Sequence, residues 1–132
     1  MNEQELNKIT ERIIGCAYKV SNSLGIGFVE KVYENALGHE VRKEDLKVVQ
    51  QHPIRVVYDA VVVGEFFADL LVEDLVLVEL KAVSALTNDH MAQSFNYLRA
   101  TGLPACLLIN FGQPKIQLRR LYPSPAWKST RT

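Results

Sequence analysis

The chain has 132 residues, enough for one compact domain with its own core, and its 48% hydrophobic and 23% charged residues are an ordinary globular balance. Fifteen basic residues match fifteen acidic ones, so no overall positive field advertises a nucleic-acid partner. No apolar run approaches the ~20 residues of a membrane span, and the polar start MNEQELNKIT lacks the features of a secretory signal.

Asn2, with Glu5 three residues on, has the form of a capping box. Leu6, Ile9, Ile13, Ala17, Val20 and Leu24 then recur at helical spacing, which predicts an amphipathic helix over 3–24, ended by Gly25 and Gly27. A second helix is expected over 28–43, with Val29, Val32, Tyr33, Ala36 and Leu37 inward. The period then shortens. KVVQQHPIRVVYD reads as an extended segment whose Pro53 suits an edge or a bulge. AVVVGEFFADLLVED is a second strand, bulged or broken at Gly64, and LVLVELKAV is a third, with turns at Asp59-Ala60 and Glu73-Asp74. TNDHMAQSFNYLRATG starts on a capping Thr87 or Asn88 and stops at Gly102, as a helix does. PACLLINFG is a buried strand. KIQLRRLYP is the last one, with Ile116, Leu118 and Leu121 as candidate inward residues. The expected domain covers 1–122, and 123–132 carries no pattern and reads as a flexible tail. The predicted architecture is a mixed α/β sheet: a three-strand antiparallel meander, a helical crossover to a parallel neighbour, and flanking helices.

Cys16 and Cys106 lie far apart in apolar surroundings and read as buried thiols, which with the absence of a signal suits a reducing cytoplasm. After Asp89 no acidic residue follows, while Arg99, Lys115, Arg119, Arg120, Lys128 and Arg131 do; this basic third could face phosphates or be a solvated surface.

The polar residues that do not fit the core are more telling. Glu79 and Lys81 stand two apart within an apolar strand and therefore share a face. Asp69 lies in the preceding strand. A two-residue turn at Glu73-Asp74 would put Asp69 and Glu79 on opposite faces. A three-residue loop, or one bulge, would set them directly across from each other. Two adjacent carboxylates repel unless a cation lies between them, and hard oxygen ligands suit Mg²⁺ or Mn²⁺. The competing reading is a buried ion pair in which Lys81 neutralises one carboxylate. Glu30 and Tyr33 share a face of the second helix, as Gln93 and Tyr97 do on the third.

Asp69 followed by Glu79-Leu80-Lys81 resembles the D…(D/E)xK signature of the PD-(D/E)xK nuclease superfamily, with Ala68 where a proline is usual. Gln93 to Tyr97 is similar to the QxxxY motif of RecB-like members. GFVEKVY, with Gly27, Glu30 and Tyr33, resembles the motif of the GxxExxY proteins within that superfamily, and the likeness runs from about residue 8 to 122. The resemblance implies a restriction-endonuclease-like core and divalent-metal-dependent hydrolysis of phosphodiester bonds, in DNA ahead of RNA. It implies Asp69, Glu79, the Leu80 carbonyl and Glu30 as ligands of Mg²⁺ or Mn²⁺. Lys81 would position the attacking water and Gln93 would orient Lys81 or a phosphate. Tyr97, Tyr33, Arg99, Arg119 and Arg120 would contact substrate. A homodimer or a partner protein would enlarge the grip of so small a domain. The alternative is a catalytically inactive module on the same fold, binding nucleic acid or protein.

Overall fold

The computed structural model describes residues 2–127. Its elements are α1 (Glu3–Leu24), α2 (Glu30–Lys43), β1 (Val48–Tyr58), β2 (Val61–Val72), β3 (Val76–Lys81), α3 (Asn88–Thr101), β4 (Ala105–Asn110) and β5 (Gln117–Leu121). The five strands form one sheet in chain order, parallel between β3 and β4 and antiparallel elsewhere. This is the mixed sheet flanked by helices that the sequence predicts. Among the described residues no helix is long and apolar enough to cross a membrane.

β3 and β4 hold the centre because every residue of both, Lys81 apart, is buried; a strand covered on both faces reads as a continuous apolar run. Alternation sorts the rest. Val76, Val78, Leu80, Leu107 and Ile109 pack with Ile13, Ala17, Tyr33 and Leu37 of α1 and α2. Leu77, Cys106 and Leu108 pack with Tyr97 and Leu98 of α3 on the other face. Both cysteines are free and buried.

The helix ends follow local chemistry. The Asn2 side chain accepts the Glu5 N–H at 2.8 Å, capping α1 where expected. α2 begins two residues later than predicted, at Glu30, because Val29 is extended and the Phe28 N–H is taken by the Tyr33 hydroxyl at 3.3 Å. Thr87 caps α3 in a capping box with His90, and Gly102, left-handed at φ 70°, closes it. Asp59 and Ala60 form a two-residue hairpin turn with φ of 53° and 60°, the conformation of a type I′ turn. Beside Gly64 the β1–β2 register slips, Val56 facing Gly64 but Val57 facing Val62. Residues 123–127 of the segment read as a tail are not without contacts: the Trp127 ring meets Phe95 edge-on at 6.3 Å, and the Arg99 guanidinium lies 5.7 Å above it. The rest of that segment lies outside the described residues.

The connection leaving β3 is pinned by one buried amide. Asn110 accepts the N–H groups of Val83 (3.0 Å) and Gly112 (2.9 Å), and donates to the Val83 carbonyl (2.9 Å) and to Gln117 (3.0 Å). Gly112 runs so close to this turn that a Cβ there would stand 2.1 Å from the Val83 carbonyl oxygen. Gly112→Ala should therefore destabilise the fold by about 2–4 kcal/mol, read as a lower urea midpoint at unchanged slope; a parent-like midpoint would show that the turn yields without cost.

Candidate active site

A three-residue loop, Glu73 to Leu75, joins β2 to β3, and the pairs Val72–Val76, Leu71–Leu77 and Leu70–Val78 follow from it. The odd count puts Asp69 opposite Glu79, as the site requires. Glu73 and Asp74 both adopt positive φ, 54° and 57°. The loop is tied down from β1's approach, where the Lys47 N–H donates to the Glu73 carboxylate at 2.6 Å and the Lys47 ammonium pairs with Asp74 at 3.0 Å.

Beyond Leu70–Val78 the β2–β3 ladder ends, and side chains take over from backbone. The Asp69 N–H donates to the Glu79 carboxylate at 3.2 Å, and the Leu80 N–H donates to the Asp69 carboxylate at 2.7 Å. The ladder between β1 and β2 is broken at the same level, where Gln51 and Asp69 are skipped between the pairs Gln50–Leu70 and His52–Ala68. Gln51 is left-handed there, at φ 54°, an uncommon conformation for a residue with a Cβ. The break turns the ribbon over. Leu70 and Val72 pack against the α1–α2 face, whereas Ala68, of the same parity, packs against α3. Asp69 thus sits where helices from both faces reach one gap.

From α2 comes Glu34, only 3% exposed. Its carboxylate accepts from Gln50 and Gln51, each at 2.7 Å, and pairs with Lys31 at 3.0 Å. The same Gln51 amide also reaches Asp69, at 3.5 Å, so one side chain links the two acids. Glu34 is not among the residues that the sequence motif singles out, whereas Glu30 is. The signal was present: Glu34 lies on the stripe of Leu37 and Val41, where a solvated glutamate has no place. Glu30 itself is exposed at the first position of α2, and its charge is felt by both Asp69 and Glu79.

Electrostatics reflect the crowding. Glu79 is 6% exposed, and burial first, then the Asp69 charge, push its pKa up to about 8, against the favourable Asp69 N–H and Lys81. Burial also raises Asp69, with Glu34 and Glu30 adding to it, against the Leu80 N–H and Lys81. Among the described residues no ion pair joins Lys81 to either carboxylate, so the closed, self-neutralised arrangement is not adopted. A buried and a half-buried carboxyl group side by side, with no paired cation among the described residues, suit a hard divalent ion. Yet among the described residues no three His, Cys, Asp or Glu side chains are arranged to share an ion. Asp69 and Glu79 are brought together; Glu30 does not complete a ligand set with them.

From α3 comes Tyr97, whose pKa is raised by burial first and then by the charges of Glu79 and Asp69, against a side-chain hydrogen bond with Gln93. Its ring lies 5.6 Å from Phe66 of β2. Gln93, Asn96, Tyr97 and Arg99 line one wall of a groove of about 1040 Å³, and Val56, Val57 and Phe66 line the other. The remaining candidates are dispersed. Tyr33 is wholly buried; its ring stacks on Phe111 at 4.8 Å and its hydroxyl donates to the Gly25 carbonyl at 2.6 Å. It clamps the α1–α2 connection and presents nothing to a substrate. Arg119 and Arg120 are exposed but point to opposite faces of β5. Arg120 borders a depression with Asn2, Leu6 and Tyr122 on the α1 side, whereas Arg119 stands across from Leu108, itself across from Glu79, so of the two only Arg119 shares a sheet face with that acid.

The family model of the PD-(D/E)XK nuclease superfamily matches residues 7–121. No curated protein and no solved structure matches the chain.

In chelator-treated protein, unfolding free energy should fall as pH rises from about 4.5 toward 8, because the folded state retains a Glu79 proton that the unfolded chain releases. Glu79→Gln should flatten this slope and be more stable than the parent at pH 8 by about 1–2 kcal/mol. Denaturant titrations across that range read it, and an unchanged slope in the variant would place the proton elsewhere.

Proposed function

The chain belongs to the PD-(D/E)XK nuclease superfamily, and from that premise we propose that it is a divalent-metal-dependent nuclease hydrolysing phosphodiester bonds, in DNA ahead of RNA. One observation carries the reading: Asp69 and Glu79 interlock at a break in the sheet while Lys81, two residues from Glu79 on the same strand face, has no ion-pair partner among the described residues. A lysine serving only to neutralise the acids would be spent on them.

In this reading Asp69 and Glu79 hold the ion, with the Leu80 carbonyl as a further donor and Glu30 acting through water or through its charge. When bound, Mg²⁺ or Mn²⁺ would supply Lewis acidity toward the phosphate and lower the pKa of a water. The chain's own residues do the rest. Lys81 keeps three N–H donors to hold a water against the phosphorus or to stabilise charge on the phosphate oxygens. The Leu80 N–H and the Gln51 amide hold the Asp69 carboxylate in a fixed orientation, so it need not be ordered at the moment of reaction. Gln93 and Tyr97 mark the α3 wall along which a nucleic-acid strand would run, and Arg99 supplies a positive charge there. The burial of Glu79 makes activity rise with pH until its proton is displaced by the cation.

Purified protein with Mg²⁺ or Mn²⁺ should cut at least one of single-stranded, duplex or branched DNA. Lys81→Ala and Asp69→Asn should each lower the rate by about 10²-fold or more while circular dichroism and melting stay close to the parent. If the parent leaves all these substrates and RNA intact, the fold serves binding alone. If both variants cut like the parent, the activity is a contaminant's.

A further inference from the structure

The hairpin of β1 and β2 continues past the site as an arm whose outer half nothing in the described chain covers. Phe66 turns toward α3 and rests near Tyr97. Phe67 and Glu65 alternate onto the other face, with Arg55 directly across from Glu65, and beyond the register slip Val63, Val61 and Tyr58 make up the exposed outer end of the arm. Tyr58 is 73% exposed, Val61 and Val63 58% each, and Phe67 55%. Isolated exposed apolar residues are ordinary, but a contiguous face of them marks an interaction surface.

Its chemistry narrows the occupant. Between Ile54 and Phe67 there is one cation, Arg55, against Asp59 and Glu65, so phosphates find no net attraction. Edge-to-edge strand addition is obstructed by Pro53, which lacks an N–H in the middle of the edge strand β1. A face-on contact remains. Arg55 and Glu65 stand side by side, their ion pair 3.5 Å long and both side chains well exposed. A patch that carries both signs at its centre, ringed by valine and aromatic residues, is complementary to itself. Turned about a twofold axis, each Arg55 meets the Glu65 of the other copy. We infer that the outer face of the β1–β2 arm is the interface of a homodimer, joined by Val61, Val63, Phe67 and Tyr58 around two exchanged Arg55–Glu65 pairs. The association does not depend on whether the nuclease reading holds. It would leave the α3 side of each arm, and so both grooves, open.

Sedimentation velocity on the whole chain at micromolar concentrations, without nucleic acid or metal, tests this. The expected mass is twice the 14.9 kDa of the chain. Arg55→Glu and Glu65→Arg, each alone, place like charges in the interface and should weaken the dimer at least about tenfold. An equimolar mixture of the two variants should regain the dimer mass. Within each variant chain the local pair stays like-charged, so restored folding cannot account for that recovery. Val63→Lys with Phe67→Lys should be monomeric at parent-like circular dichroism. A monomeric parent, variants that dimerise as the parent does, or a mixture that stays monomeric would each overturn the inference. So would association that appears only on adding an oligonucleotide, which would make the arm a nucleic-acid surface.

Discussion

Two carboxylates, each accepting a backbone N–H from the neighbouring strand, are the constraint around which this molecule is arranged. Asp69 and Glu79 stand where a sheet would ordinarily pair N–H with C=O, and they replace that pairing with charge-assisted bonds to the Asp69 and Leu80 amides. Such bonds satisfy the amides but leave two carboxyl groups side by side, Glu79 buried and Asp69 half-buried, where ionising both is unfavourable. Everything nearby answers to that tension: the rise of Glu79, the linking amide of Gln51, the unspent charge of Lys81, and the gap that admits α2 from one face and α3 from the other.

The scaffold keeps this unfavourable pair in place by spreading its support widely. Buried β3 and β4 form a rigid centre. Asn110 fastens the turn after Lys81, and the Glu73–Leu75 loop sets the pairing before it. Tyr33, stacked on Phe111, fixes the start of α2 and hence the positions of Glu30 and Glu34. An unfavourable pair of this kind is tolerated when the surrounding structure holds it in place.

Much of this was legible in the sequence because two periodicities are strong. Helical spacing in α1 and the capping signals of α3 located both, and the apolar runs located β3 and β4. Strand parity ties the meeting of Asp69 and Glu79 to the length of the Glu73 loop, and the loop has the odd length that unites them. What the sequence hid has physical causes. Gln51 is left-handed with no glycine to announce it, so the face switch of β1 and β2 leaves no trace in composition. Tyr33 belongs to a motif that looks functional residue by residue, but its ring is core and its hydroxyl a clamp. Arg119 and Arg120 are adjacent in a strand, which is the reason they face apart.

A crystal structure of the parent grown with Mn²⁺ tests the central claim most directly. The account predicts an anomalous peak between the Asp69 and Glu79 carboxylates, with the Lys81 ammonium still unpaired and turned toward the solvent side of the ion. An empty gap closed by a Lys81–Glu79 ion pair at saturating Mn²⁺ would contradict it.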